Sequence, residues 1–215
     1  MNSLFNLDNP VMRFLSKVFD VMLLSAIWGL FCLPIVTIGA STTAMYYATV
    51  KVIRRERGYV FQEFWKSFKM NFLQGTLCWI LVVAATALFY ANIKFATGIN
   101  TKMGTILEIV YMAMGLIVLG CGVYLFPVLS RFSMKTMQLI KTCLFLFFKY
   151  IPKSILMGLI VAVACVCIYF SSIMIFFVPV CATLLFSLIM EPILKKYTPQ
   201  ASEDDENKRD EWYLE

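Results

Sequence analysis

The sequence predicts an all-α, polytopic membrane protein with about six transmembrane helices and two amphipathic helices lying in the interface. Three observations carry this reading. Of 215 residues, 60% are hydrophobic and only 15% charged, with a mean hydropathy of +0.78, whereas ordinary globular domains carry about 25% charged residues. The apolar residues form continuous runs that approach or exceed the roughly 18–20 residues a helix needs to cross a bilayer. They do not form the alternating segments of about ten residues that mark a transmembrane β-barrel. Lastly, the basic residues sit beside those runs, as expected of loops facing a cytoplasmic membrane surface. The net charge of +6 therefore points to anionic lipid headgroups and not to nucleic acid.

Taken in order, the polar N-terminus to Pro10 precedes a first helix predicted over residues 14–33, flanked by Arg13 and Lys17. Asp8 and Asp20 make the N-terminus a poor signal peptide. Ser25 and Gly29, four apart, form a small-xxx-small pair that would let a neighbour approach. Pro34 ends this helix, because proline disfavours helical geometry in the residue before it. Helix two is predicted over residues 38–57. Ala40, Ala44 and Ala48 form a stripe for tight packing, and the phenols of Tyr46 and Tyr47 need partners in mid-segment.

Beyond Gly58 and Tyr59, the aromatics Phe61, Phe64, Trp65 and Phe68 recur at i, i+3, i+4, i+7, opposite Gln62, Glu63, Lys66 and Lys69. That pattern predicts a short interfacial helix. A third span over residues 71–90 and a polar loop with Asn92, Lys94, Asn100 and Lys102 lead to a fourth span over residues 105–126. Pro127 is expected to open a second interfacial region, where Phe132, Thr136, Ile140, Cys143 and Phe147 oppose Arg131, Lys135, Gln138 and Thr142. Pro152 opens a fifth span ending near Phe170, and the sixth runs over residues 179–194, closed by Lys195 and Lys196. Residues 1–197 thus make one transmembrane domain. Residues 198–215, rich in Asp and Glu, read as a disordered cytoplasmic tail.

If helix two spans, both termini lie inside, and of the 19 Lys and Arg only Lys94 and Lys102 fall outside. If it does not, the N-terminus moves outside with Arg13 and Lys17. Both arrangements satisfy the positive-inside rule, so helix two is either a sixth span or a re-entrant or interfacial segment.

Candidate chemistry is sparse. With no histidine, there is no His-based metal site or general base. All seven cysteines lie in apolar sequence and read as small buried hydrophobes. Cys165 and Cys167 have no neighbouring ligands, so neither metal nor cofactor is expected. No HExxH, P-loop or GxSxG motif occurs, and no catalytic site is expected. Outside the tail the carboxylates are Asp8, Asp20, Glu56, Glu63, Glu108 and Glu191. None lies near a span's midpoint, so Asp20 and Glu191 read as interfacial or capping groups and ion-coupled transport is disfavoured. Two surfaces remain. Arg54, Arg55, Phe61, Phe64, Trp65, Phe68, Lys69, Arg131 and Lys135 could dock a cytoplasmic partner. Ser41, Thr42, Thr43, Tyr46 and Tyr47 could instead line a solute pathway, or serve as glue between helices.

At residues 33–47, LPIVTIGASTTAMYY, and 61–75, FQEFWKSFKMNFLQG, the chain resembles the YesL-like family of bacterial integral membrane proteins. The later FPVLSRF, residues 126–132, fits as well, so the resemblance covers about residues 5–195. Leu33, Pro34, Thr37, Gly39, Ala40, Thr42, Ala44, Tyr46, Tyr47 and Ala48 carry its most specific motif. The family is one of unknown function whose members are associated with carbohydrate uptake. The resemblance therefore implies a multi-pass protein of the bacterial plasma membrane. It also implies an accessory role beside ABC-type sugar-importer subunits, and supplies no catalytic residue. The alternative is a small-solute transporter or permease in its own right.

Overall fold

A computed structural model describes residues 10–99, 101–132 and 134–197. The polar N-terminus before Pro10 and the acidic tail lie outside the described residues. The rest is all helical: α1 (Pro10–Cys32), α2 (Ile38–Ala48), α3 (Val60–Thr97), α4 (Lys102–Arg131), α5 (Thr136–Lys149), α6 (Ile151–Phe170) and α7 (Val178–Lys195). Five of these, all but α2 and α5, are long and apolar enough to cross a membrane. The chain is a polytopic helical membrane protein.

Short helical turns join the long elements. A 3-10 turn, Ile35–Thr37, follows Pro34 and leads into α2. Thr37 stabilises this corner by donating its hydroxyl to the Phe31 and Pro34 carbonyls at 2.6 and 2.7 Å. After α2 the helix continues as a π-helical turn, Thr49–Arg54. Glu56 then adopts a left-handed backbone (φ 56°), which lets the Arg57 N–H turn back to the Lys51 carbonyl at 3.2 Å.

Helix two is enclosed by the rest of the bundle. Nine of the eleven residues of α2 are buried, so it does not lie on the surface as an interfacial helix. With its π-helical extension it is about 25 Å long at ~1.5 Å per residue, short of the roughly 30 Å hydrocarbon core. Its far end meets the neighbouring helices through charged side chains. Lys17 near the start of α1 pairs with Glu56 just beyond α2, and Arg55 faces Glu191 near the end of α7. The start of α1, the ends of α2 and α4 and the end of α7 therefore share one end of the bundle.

Two sequence expectations are corrected here. The aromatic stripe from Phe61 to Phe68 is not a separate interfacial helix, because α3 is one uninterrupted helix of 38 residues. Nothing between residues 69 and 71 breaks the helix, and the stripe has a partner inside the protein. Phe31 of α1 packs against Phe64, Trp65 and Phe68 with ring centroids 4.9–5.6 Å apart. Likewise Pro127 does not begin a new segment but lies inside α4, which continues to Arg131. The second amphipathic helix does form, as α5, but it buries Leu139, Cys143 and Leu146. Of the stripe expected from the sequence, only Cys143 is among them.

The small-residue packing of α2 is more intimate than its alanines alone imply. Ala40, Ala44 and Ala48 are all fully buried. Gly39 meets Gly75 of α3 backbone to backbone, and a Cβ on Gly39 would lie 2.3 Å from the Gly75 carbonyl oxygen. The Trp79 indole caps the contact by donating to the Ile35 carbonyl at 2.9 Å. Gly29, in contrast, faces open space, with nothing within 4 Å of an added Cβ. Beyond Trp79, α3 runs on in a hairpin with α4, marked by Val82 at Gly122 and Phe89 at Gly115. The outward side chains of this hairpin, such as Leu88, Ile106 and Ile109, are exposed and apolar.

Candidate functional site: a buried ionic cluster beside an apolar cavity

The most constrained polar constellation lies where α2, α4 and α7 converge. Glu191 sits in the last turns of α7, with its side chain 4% exposed. Arg131, the last residue of α4, reaches it through Nη1 at 2.9 Å and is itself 2% exposed. Tyr46 of α2 donates its hydroxyl to the other carboxylate oxygen at 3.4 Å, and Arg55 stands 3.9 Å away. Arg54 donates to the carbonyl and hydroxyl oxygens of Ser187, one turn before Glu191, at 3.1 and 3.3 Å. A second pair lies on the other side of α2, where Lys51 approaches Glu63 at 3.0 Å and donates to the Tyr47 hydroxyl at 3.3 Å.

Local sequence explains the placement. The π-helical turn at Thr49–Arg54 inserts extra residue per turn, which re-aims the positions that follow it. It carries Arg54 and Arg55 toward α7 while Lys51 faces α3. Pro127 and Pro192 lie within one turn of Arg131 and Glu191. Each removes a backbone hydrogen bond in its own helix, Pro192 directly after Glu191 and Pro127 four residues before Arg131.

Several expectations need revision at this point. Glu191, read as an interfacial or capping group, is buried in an ion pair. Arg131, Phe64 and Phe68, expected on a docking surface, are 3%, 0% and 7% exposed and face the interior. Trp65 and Arg55 are partly covered, and only Arg54, Phe61, Lys69 and Lys135 of that set are exposed. Leu33 and Pro34 are exposed at the corner between α1 and α2. The hydroxyl-bearing residues of α2 are committed to helix contacts: Ser41 donates to the Trp28 carbonyl, Thr43 to the Gly39 carbonyl, and Thr42 accepts from the Trp28 indole. Sequence reasoning also missed Gly75 and Ser187. The available signal for Glu191 was a lone carboxylate inside the apolar run of α7, a position where an ionisable group calls for a partner.

Next to the cluster is a cavity of about 390 Å³ lined by residues of α1, α2, α3, α4, α6 and α7. Its walls include Trp28, Met45, Trp79, Phe126, Ala164 and Phe186. At the periphery, Lys17 hydrogen-bonds Glu56 and holds its carboxyl below the usual carboxylate range. Among the described residues, no group of His, Cys, Asp and Glu is arranged to hold a metal ion.

Residues 21–93 match the family model described as "Protein of unknown function, DUF624". The match covers about a third of the chain. It takes in the second half of α1, all of α2 with its π-helical turn, and most of α3, so both sequence motifs at 33–47 and 61–75 lie inside it. Within the matched segment, Tyr46, Arg54 and Arg55 supply one side of the ionic cluster, while Arg131, Ser187 and Glu191 come from beyond it. The chain is also similar to a Bacillus subtilis (strain 168) protein, "Uncharacterized protein YesL", 24% identical over 182 residues. That similarity covers 82% of this chain and 86% of the relative. No solved structure matches the chain.

Proposed function

We propose that the chain is a non-catalytic accessory component of a carbohydrate-uptake system in the bacterial plasma membrane. It acts by contacting ABC-type sugar-importer subunits, with both termini and the basic end of the bundle toward the cytoplasm. The observation that carries this reading is the commitment of the α2 hydroxyl groups. Ser41, Thr42, Thr43, Tyr46 and Tyr47, the residues best suited to a sugar pathway, all have hydrogen-bond partners within the protein. A sugar passing through would need those groups free, because a buried polar group without a partner costs about 1–3 kcal/mol. The carbohydrate context itself comes from the family resemblance, and the apolar outer faces of α3 and α4 offer surface for another membrane protein.

Tagged protein, purified in mild detergent from cells grown on an importer-dependent sugar, is expected to bring down permease and ATPase subunits in stoichiometric amounts. Recovery of neither overturns the proposal. Sugar uptake by vesicles containing this chain alone would instead establish the competing reading, a transporter in its own right.

A further inference from the structure

We propose that the cavity between α4, α6 and α7 is a binding site for one hydrocarbon chain of a membrane lipid. The inference rests on wall chemistry, volume and access, and is independent of any sugar-related role. The polar groups at the wall are already engaged. The Trp28 indole donates to Thr42, Thr183 donates to the Pro179 carbonyl at 2.7 Å, Tyr46 donates to Glu191, and the Trp79 indole donates to Ile35. Water needs two to four polar partners to occupy a cavity, and apolar cavities without them stay dry. A polar solute is disfavoured for the same reason.

The volume suits a chain. A cavity of about 150 Å³ lined by aliphatic and aromatic side chains takes up benzene. At 390 Å³ this one has room for roughly fifteen carbon atoms on the same scale. Small residues make the space: Gly122 of α4, Ala164 of α6 and Ala182 of α7 all line it.

Access is lateral. α6 buries only Ser154 and Met157, both in its first two turns. Its second half buries no residue, while its first turn meets α4 through the 2.7 Å hydrogen bond between Tyr124 and Ser154. Val161 and Cys165 of α6 and Leu119 of α4 line the cavity and are also exposed on the outer surface. Because α4 and α6 are both membrane-crossing candidates, the cavity is continuous with the surface these helices present to lipid. Acyl chains are the apolar molecules at its mouth.

The test uses the full-length protein in phosphatidylethanolamine–phosphatidylglycerol vesicles doped with a phospholipid carrying a diazirine near the end of one acyl chain. After illumination, mass spectrometry maps the labelled peptides. In the unmodified protein, labelling per residue is expected to be several-fold higher on the cavity-facing stretches around Gly122 and Ala164 than on Leu88 and Ile109 of the α3–α4 hairpin. Ala182→Phe and Gly122→Leu are each expected to lower the cavity labelling several-fold and leave the hairpin labelling unchanged. At Gly122 a Cβ meets only the Val82 methyl groups, at ordinary contact distances of 3.5 and 3.8 Å. Even labelling of cavity and hairpin in the unmodified protein overturns the proposal without recourse to any variant. Cavity labelling that survives both substitutions overturns it as well.

Discussion

Arg131 and Glu191, sixty positions apart, form a 2.9 Å ion pair that excludes solvent from both side chains. The pair ties the end of α4 to the end of α7. Removing one member of a buried pair costs about 3–5 kcal/mol, because the other charge is left uncompensated, while replacing both by apolar residues is often neutral. Arg131→Met and Glu191→Leu are therefore each expected to lower the melting temperature in detergent sharply, and the double variant to recover most of the loss. A double variant no better than either single would show that the pair contributes little.

The Gly39–Gly75 contact predicts an asymmetry among glycines. Gly39→Ala places a Cβ against backbone that cannot yield and is expected to cost about 1–3 kcal/mol, the usual range for overpacking. Gly29→Ala meets nothing and is expected to be neutral or to stabilise α1 by up to about 1 kcal/mol through helix propensity. Thermal denaturation of the two variants side by side checks the contrast.

The peripheral Lys17–Glu56 contact gives a pH dependence. The folded carboxyl of Glu56 titrates below its ordinary value of 4.5, so the unfolded chain binds the proton first as the pH falls. The contact thus contributes fully above that ordinary value and is lost as acidification proceeds through the lower folded one. Both side chains are largely exposed, so the contribution is small and screened by salt. Glu56→Gln should remove this acid-dependent component of stability and leave neutral-pH assembly intact. An unchanged acid limb would discount the contact.

The proposed orientation makes a topological prediction. Alkaline phosphatase fused before Arg13 is expected to be inactive, and fused at Gly98, in the turn between α3 and α4, to be active. The reverse pattern would invert the bundle in the membrane.

The class of fold was legible because bilayer crossing depends on length and hydropathy, which a sequence displays directly. The corner at Pro34, the alanine stripe of α2 and the amphipathic character of α5 followed from local rules. The continuity of α3 did not, because an aromatic stripe with opposed charges looks the same whether it meets lipid or Phe31 of another helix. The ionic cluster was hidden for a related reason. Arg131 and Glu191 each lie near the end of an apolar segment, where a charge ordinarily reaches water, and only the packing of α4 and α7 around α2 encloses them. The π-helical turn at Thr49–Arg54 leaves no distinctive composition, yet it decides which way Arg54 and Arg55 point.

The placement of Glu191 also bears on biogenesis. Tyr46, Arg55 and Arg131 are all made before the helix that carries their shared carboxylate. Until α7 is inserted, that corner of the bundle lacks the anion around which it is built. A chain cut short before Glu191 keeps the arginines and loses the carboxylate, which gives membrane quality control a chemical difference between finished and unfinished molecules. α7 thus completes the cluster, and truncations on either side of Glu191 are expected to differ in lifetime far more than their difference in length suggests.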